Sequence, residues 1–190
     1  HSNKQAVAAY IEADKVVFYN CAFYGVQDTL YAKWGRQYYK DCYIEGSVDF
    51  IFGNNAPAVF ENCTIHTVSR NDSKNNGYIT AHKGKHNGND KGEFGYVFLN
   101  CKLTADENVP AGTVALGRPW DADATVAYLY CEMGAHISKL PYGDSAGMDR
   151  YEIMSGNSPV NADFKEYGNT GPGAITEEVL GMKLLTEEQA

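Results

Sequence analysis

Residues 18–23 read FYNCAF, and the same pattern returns four times: YKDCYI at 39–44, FENCTI at 60–65, FLNCKL at 98–103 and YLYCEM at 128–133. An aromatic residue stands three before each Cys (Phe18, Tyr39, Phe60, Phe98, Tyr128), and a large apolar residue stands two after it (Phe23, Ile44, Ile65, Leu103, Met133). The Cys and the residue at +2 share one face of a strand. The aromatic at −3 is out of register with both, so the chain bends in between. Asn20, Asp41, Asn62 and Asn100 sit at that bend, and Asn and Asp are the residues that best tolerate left-handed backbone. Successive cysteines are 21, 21, 38 and 30 residues apart. Intervals of this size mark stacked supersecondary units. Short strands joined by fixed tight bends predict an all-β fold, a single-stranded parallel β-helix. A sandwich or barrel would show hairpin turn signals instead, and these are scarce outside 71–92.

The cysteine column then reads as an inward stack of small apolar side chains. The five lack C-x-x-C spacing and nearby histidines, so neither a zinc site nor a redox pair is expected. The 190 residues, 44% of them hydrophobic, suffice for one soluble domain. No stretch approaches the ~18–20 apolar residues of a membrane span, and the first residues lack the pattern of a signal peptide. A net charge of −8 argues against nucleic-acid and anionic-membrane partners.

The repeat also aligns two acids. Asp28 in GVQDTLY lies seven residues after Cys21, and Asp49 in GSVDFIFGN lies seven after Cys42. They occupy one place on consecutive coils, about 4.8 Å apart. Gly25 with Gly46 and Tyr31 with Phe52 extend the match. Two carboxylates this close cannot both ionise easily, and the split gives one acid and one anion near neutral pH. A solvated acidic ladder or a calcium site would also stack acids. Gln27, the flanking aromatics, and Arg118 and Trp120 of LGRPW favour acid–base or nucleophilic chemistry.

KQAVAAYIEAD, GVQDTLY, RQYYKDCYIEGSVDFIFGN, LGRPW and EYGNTGPGA, taken in this order, resemble the pectin methylesterases, or pectinesterases, which are right-handed parallel β-helices. The resemblance implies hydrolysis of methyl esters on galacturonosyl units of pectin, with methanol as product and no metal or organic cofactor. It implies Asp49 as nucleophile, Asp28 as general acid/base, Gln5 and Gln27 as oxyanion donors, and Arg118 as the group that holds Asp49. Tyr31, Phe52 and Trp120 would line the sugar groove. It further implies a secreted, cell-wall protein, expected as a monomer, with methyl-esterified homogalacturonan as partner. The family carries further coils before KQAVA, so residues 1–190 are expected to form one β-helix domain cut at its N-terminus.

Residues 69–95, rich in Asn, Gly, Asp and Lys, are expected as a long loop interrupted by a short strand at 78–81. Residues 168–190 are expected as a C-terminal tail. His66, His82 and His86 are expected at the surface, and His82 stands where the family more often has Gln. Asn71 in NDS fits a glycosylation sequon; Asn62 in NCT does too, but its packed bend argues against use. Three other functional readings compete: a pectin backbone hydrolase or lyase, an inactive or merely pectin-binding fragment, and a purely structural β-helix. The last leaves Gln27, Asp28, Asp49 and Arg118 unexplained.

Overall fold

The computed structural model describes residues 4–54, 56–84 and 95–190. The chain winds in coils of three strands. The first coil comprises β1 (Ala9–Glu12), β2 (Val16–Tyr19) and β3 (Ala22–Phe23), and the second β4 (Leu30–Trp34), β5 (Gln37–Lys40) and β6 (Tyr43–Gly46). The third holds β7 (Val48–Gly53), β8 (Ala58–Glu61) and β9 (Thr64–Thr67), and the fourth β10 (Gly77–His82), β11 (Tyr96–Leu99) and β12 (Lys102–Ala105). The fifth contributes β13 (Val114–Pro119), β14 (Thr125–Leu129) and β15 (Glu132–Met133), and β16 (Asp163–Tyr167) and β17 (Lys183–Leu184) follow. Like strands of successive coils pair in parallel into three sheets, β1-β4-β7-β10-β13, β2-β5-β8-β11-β14-β16-β17 and β3-β6-β9-β12-β15. The architecture is the expected right-handed parallel β-helix, with the hand that nearly all parallel crossovers share.

The five sequence repeats are the interior of this stack. Phe18, Tyr39, Phe60, Phe98 and Tyr128 lie in register, with ring centroids 5.2, 4.7, 4.6 and 4.6 Å apart and planes within 10° of parallel. Beside them run the cysteines. From the second coil onward each thiol donates to a carbonyl of the coil before, for example Cys63 Sγ to Tyr39 O at 3.4 Å and Cys101 Sγ to Phe60 O at 3.2 Å. A third column of Phe23, Ile44, Ile65, Leu103 and Met133 completes the core. Between the first two columns Asn20, Asp41, Asn62, Asn100 and Tyr130 all take left-handed backbone, with φ of 52, 54, 54, 53 and 55°. That single conformation turns the aromatic and the Cys to the same interior despite their odd spacing.

A sixth repeat closes the column. Glu166 pairs in register with Tyr128, and Asn169 Oδ1 accepts from Cys131 N at 2.8 Å. EYGNTG at 166–171 therefore places Glu, Asn and Gly where earlier coils place an aromatic, Cys and a large apolar residue. Arg150, fully buried, answers Glu166 with Nε–Oε1 at 2.6 Å and Nη2–Oε2 at 2.7 Å. Its Nη1 also donates to the carbonyls of Ser138 and Gly173 at 2.6 and 2.9 Å.

Two expectations gain detail. The short strand expected at 78–81 is β10, and it is a full member of the first sheet, paired with both β7 and β13. Its β-branched and apolar run, with Ile79 fully buried, competes successfully with the polar residues on either side. The residues after 168 are likewise more than a tail: Thr170 bridges Glu132 and β17 pairs with β16.

Candidate active site

The outer face of the first sheet gathers all eight sequence-predicted site residues. Isolated parallel bridges put Gln5 beside Gln27 and Gln27 beside Val48. Leu30 pairs with Ile51 and Tyr31 with Phe52, so the 21-residue offset holds and Asp28 falls opposite Asp49. Both acids take left-handed backbone, with φ of 62 and 49°, a conformation that sequence spacing alone does not reveal.

Asp49 is nearly sealed, at 5% exposure. Arg118, on β13 two strands away, reaches across β10 and grips it with Nε–Oδ1 at 2.9 Å and Nη2–Oδ2 at 2.6 Å. The crossing is open because the residue opposite Arg118 on β10 is the small Ala81. A bidentate fork is the strongest geometry a guanidinium offers a carboxylate. Burial raises the Asp49 carboxyl above the usual range, and the Arg118 hydrogen bonds pull against that rise. Asp28 has no such partner. Burial first, and the Asp49 charge second, push its carboxyl up to about 6, with Arg118 opposing. The Arg118 fork favours the charged form of Asp49 against the pull of burial, whereas Asp28, with no cation forked onto it, is an acid below about pH 6.

Aromatic rings extend from this centre. Tyr10 meets Tyr31 edge-on at 5.0 Å, Tyr31 stacks on Phe52 at 4.4 Å, and Phe52 approaches Trp120 at 6.3 Å. Lys83 Nζ stands 5.3 Å from the Trp120 ring centroid. On the far side of Arg118 opens a cavity of about 840 Å³, lined among others by Lys74, Asn75, Ser138, Lys139 and Glu152. The Gly117–Tyr151 bridge sets Glu152 in register with Arg118, and burial raises the Glu152 carboxyl. Sequence reasoning missed Glu152, as well as Tyr78, whose ring centroid lies 4.0 Å from the Arg118 guanidinium.

His82 corrects a further expectation. It is buried at 2% exposure, opposite Gly53 and Pro119, because an irregularity in β10 between Tyr78 and Thr80 breaks the alternation and turns it to the same interior as Ile79. Its Nδ1 accepts from Thr125 N at 2.9 Å, its ring packs on Tyr96 at 4.5 Å, and burial pushes its pKa down to about 3. His66 is half-buried, bound to Thr104 Oγ1 at 2.8 Å and Asp106 Oδ1 at 3.1 Å; His86 lies outside the described residues. Asn62 stands at an exposed bend rather than a packed one. Among the described residues no three His, Cys, Asp or Glu side chains converge as a metal site.

The pectinesterase family model matches residues 1–188. The chain belongs to the pectinesterase family. It is 42% identical to pectinesterase 31 of Arabidopsis thaliana over 174 residues, which are 92% of this chain and 49% of that protein. The pectin methylesterase of Aspergillus niger superposes with a TM-score of 0.79 at 34% identity, covering 97% of this chain and 55% of that one. A pectin methylesterase solved in complex with a hexasaccharide gives 0.79 at 31% identity, over 99% and 58% of the two chains. This pectinesterase-family chain thus spans about half the length of the curated relatives it matches.

Proposed function

We propose that the chain carries the catalytic centre of a pectin methylesterase. The observation that carries this reading is the unequal pair: two carboxyls opposite each other on adjacent coils, with Arg118 forked onto Asp49 alone. In the proposed reaction the Asp49 carboxylate attacks the ester carbonyl carbon of a galacturonosyl unit. The resulting oxyanion accepts N–H bonds from Gln5 and Gln27, and one such donor contributes on the order of 3 kcal/mol to acyl transfer. Collapse breaks the bond to methoxide, which takes the Asp28 proton and leaves as methanol. The acyl-enzyme is an anhydride on Asp49. Asp28, now ionised, takes a proton from water as that water attacks the galacturonosyl carbonyl, freeing the new carboxylic acid and restoring both side chains.

Tyr31, Phe52 and Trp120 supply the apolar faces on which sugar rings rest, and the hexasaccharide complex of a relative supports a polysaccharide partner. Methyl-esterified homogalacturonan is the proposed substrate, and a secreted protein acting at a cell wall the proposed setting. The whole described stack, one continuous core, would act as a single catalytic domain. The test is methanol release from highly esterified homogalacturonan, with and without chelator. Stoichiometric methanol and new carboxylate, indifferent to chelator, is expected. New reducing or unsaturated ends without methanol would replace this reading with backbone cleavage.

A further inference from the structure

We propose that Tyr78 is a positioning residue, which holds the Arg118 guanidinium on Asp49 by stacking its ring against the guanidinium face. The argument rests on the proposed esterase centre only for its rate readout. Arg118 must span from β13 to β7, and a rotamer-rich arm of that length holds one orientation only if something supports it. Tyr78 on β10 lies under the span, 4.0 Å from the guanidinium carbon, well inside the range of cation–π attraction.

Tyr78 is itself held in place. Its hydroxyl accepts from Asn75 Nδ2 at 3.0 Å, and Asn75 Oδ1 accepts from Gly77 N and Arg70 Nη1, each at 3.0 Å. The buried Asn76 clamps the same loop, donating to Asp72 O at 2.6 Å and Thr113 Oγ1 at 3.1 Å and accepting from Arg70 N at 3.1 Å. Gly77 takes φ +112° with Ser47 O so close that any Cβ would strike it. Only glycine lets β10 press onto β7 there, and that contact sets the ring at the height of the guanidinium. A chain of contacts thus runs from the 70–76 loop through Asn75, Tyr78 and Arg118 to the nucleophile.

The stacking decides a competition. Asp49 on β7 faces Arg118 from one side, Asp28 in the bend before β4 lies next to Asp49, and Glu152 stands in register with Arg118 from the other side. Glu152 makes no ion pair with Arg118, and its Oε1 accepts instead from Asp149 N at 3.0 Å. The neutral Tyr78 face fixes the fork toward Asp49 and away from Glu152.

The experiment is a carbon-detected NMR titration of the Asp49 carboxyl in the parent, in Tyr78→Phe, and in Tyr78→Leu and Tyr78→Met, together with the pH dependence of methanol release. Loss of the ring should raise the Asp49 midpoint by about half to one pH unit and slow methanol release about tenfold, the range a cation–π contact spans. Phe keeps the ring and should keep both values near those of the parent. Adding Glu152→Gln to Tyr78→Leu removes the competing carboxylate and should return part of the shift. Met fills nearly the same space as Leu without branching, so it carries the test if the Leu variant does not fold. An Asp49 midpoint unmoved in Leu and Met, or moved as far by Phe as by Leu, overturns the proposal. A shifted midpoint in a protein that releases no methanol would uphold the positioning and sink the esterase reading.

Discussion

Replacing Glu166 by Gln tests whether the end of the interior stack is as dry as its geometry implies. The substitution keeps the shape and removes the charge. Arg150 then remains fully buried, keeps its bonds to the carbonyls of Ser138 and Gly173, and keeps only one of its two bonds to residue 166, because the Gln amide nitrogen cannot accept, with no counter-charge. Stranding one partner of a buried ion pair costs about 3–5 kcal/mol. At roughly 2–4 °C per kcal/mol for a chain of this size, the thermal midpoint should fall by about 6–20 °C. The double variant Arg150→Met/Glu166→Phe continues the aromatic column onto Tyr128, and apolar replacement of a buried pair commonly returns about 1–4 kcal/mol. Here it also orphans the carbonyls of Ser138 and Gly173, at about 1–3 kcal/mol each. The two contributions roughly cancel, so the double variant should melt above Glu166→Gln and near the parent. Circular dichroism melts of all three proteins decide the matter. A loss below about 3 °C for Glu166→Gln would refute the premise that this charge pair is cut off from water.

Asp49→Asn should lower methanol release by several orders of magnitude, while binding of esterified homogalacturonan, followed by calorimetry, persists. With the Asp28 carboxyl raised to about 6, the proton donor is present below that pH and lost above it. Release should therefore decline as pH rises through about 6, and a flat rate across that window would contradict the assignment. In Asp49→Asn the neighbouring charge that helps raise Asp28 is gone, so the Asp28 midpoint in a carboxyl NMR titration should move down. Phe60→Ala removes a fully buried ring stacked between Tyr39 and Phe98; the cost should be about 3–5 kcal/mol, read as a urea midpoint shift.

The repeat around the cysteines was enough to foresee the coils, because an interior column demands the same residue types at each turn. It also foresaw the Asp28–Asp49 juxtaposition, since both lie in coils of equal length. Arg118 could be tied to Asp49 only through family resemblance, because the coils between them carry loops of unequal length that erase any fixed offset. The sixth repeat escaped notice for a different reason: Glu166, Asn169 and Gly171 break the residue types while keeping the spacing, and Arg150, which makes the exchange workable, arrives from a separate segment. His82 was misplaced because the polar residues around it suggest a loop, whereas the irregularity in β10 between Tyr78 and Thr80 turns it inward, opposite the missing side chain of Gly53. Tyr78 could not be singled out, because a cation–π contact depends on where a distant arginine ends.

The thiol column gives every coil its own chemical address. Cys21 is partly accessible, whereas Cys42, Cys63, Cys101 and Cys131 are buried, and burial raises the Cys42 thiol away from the reactive thiolate. A disulfide reagent should therefore modify Cys21 in the intact molecule and reach the others only as their own coils open. In a stack where each turn touches only its neighbours, opening can begin at either end or in the middle. The order in which the four sealed thiols acquire label, resolved by mass spectrometry, would then show where the helix unwinds first and how far each event travels.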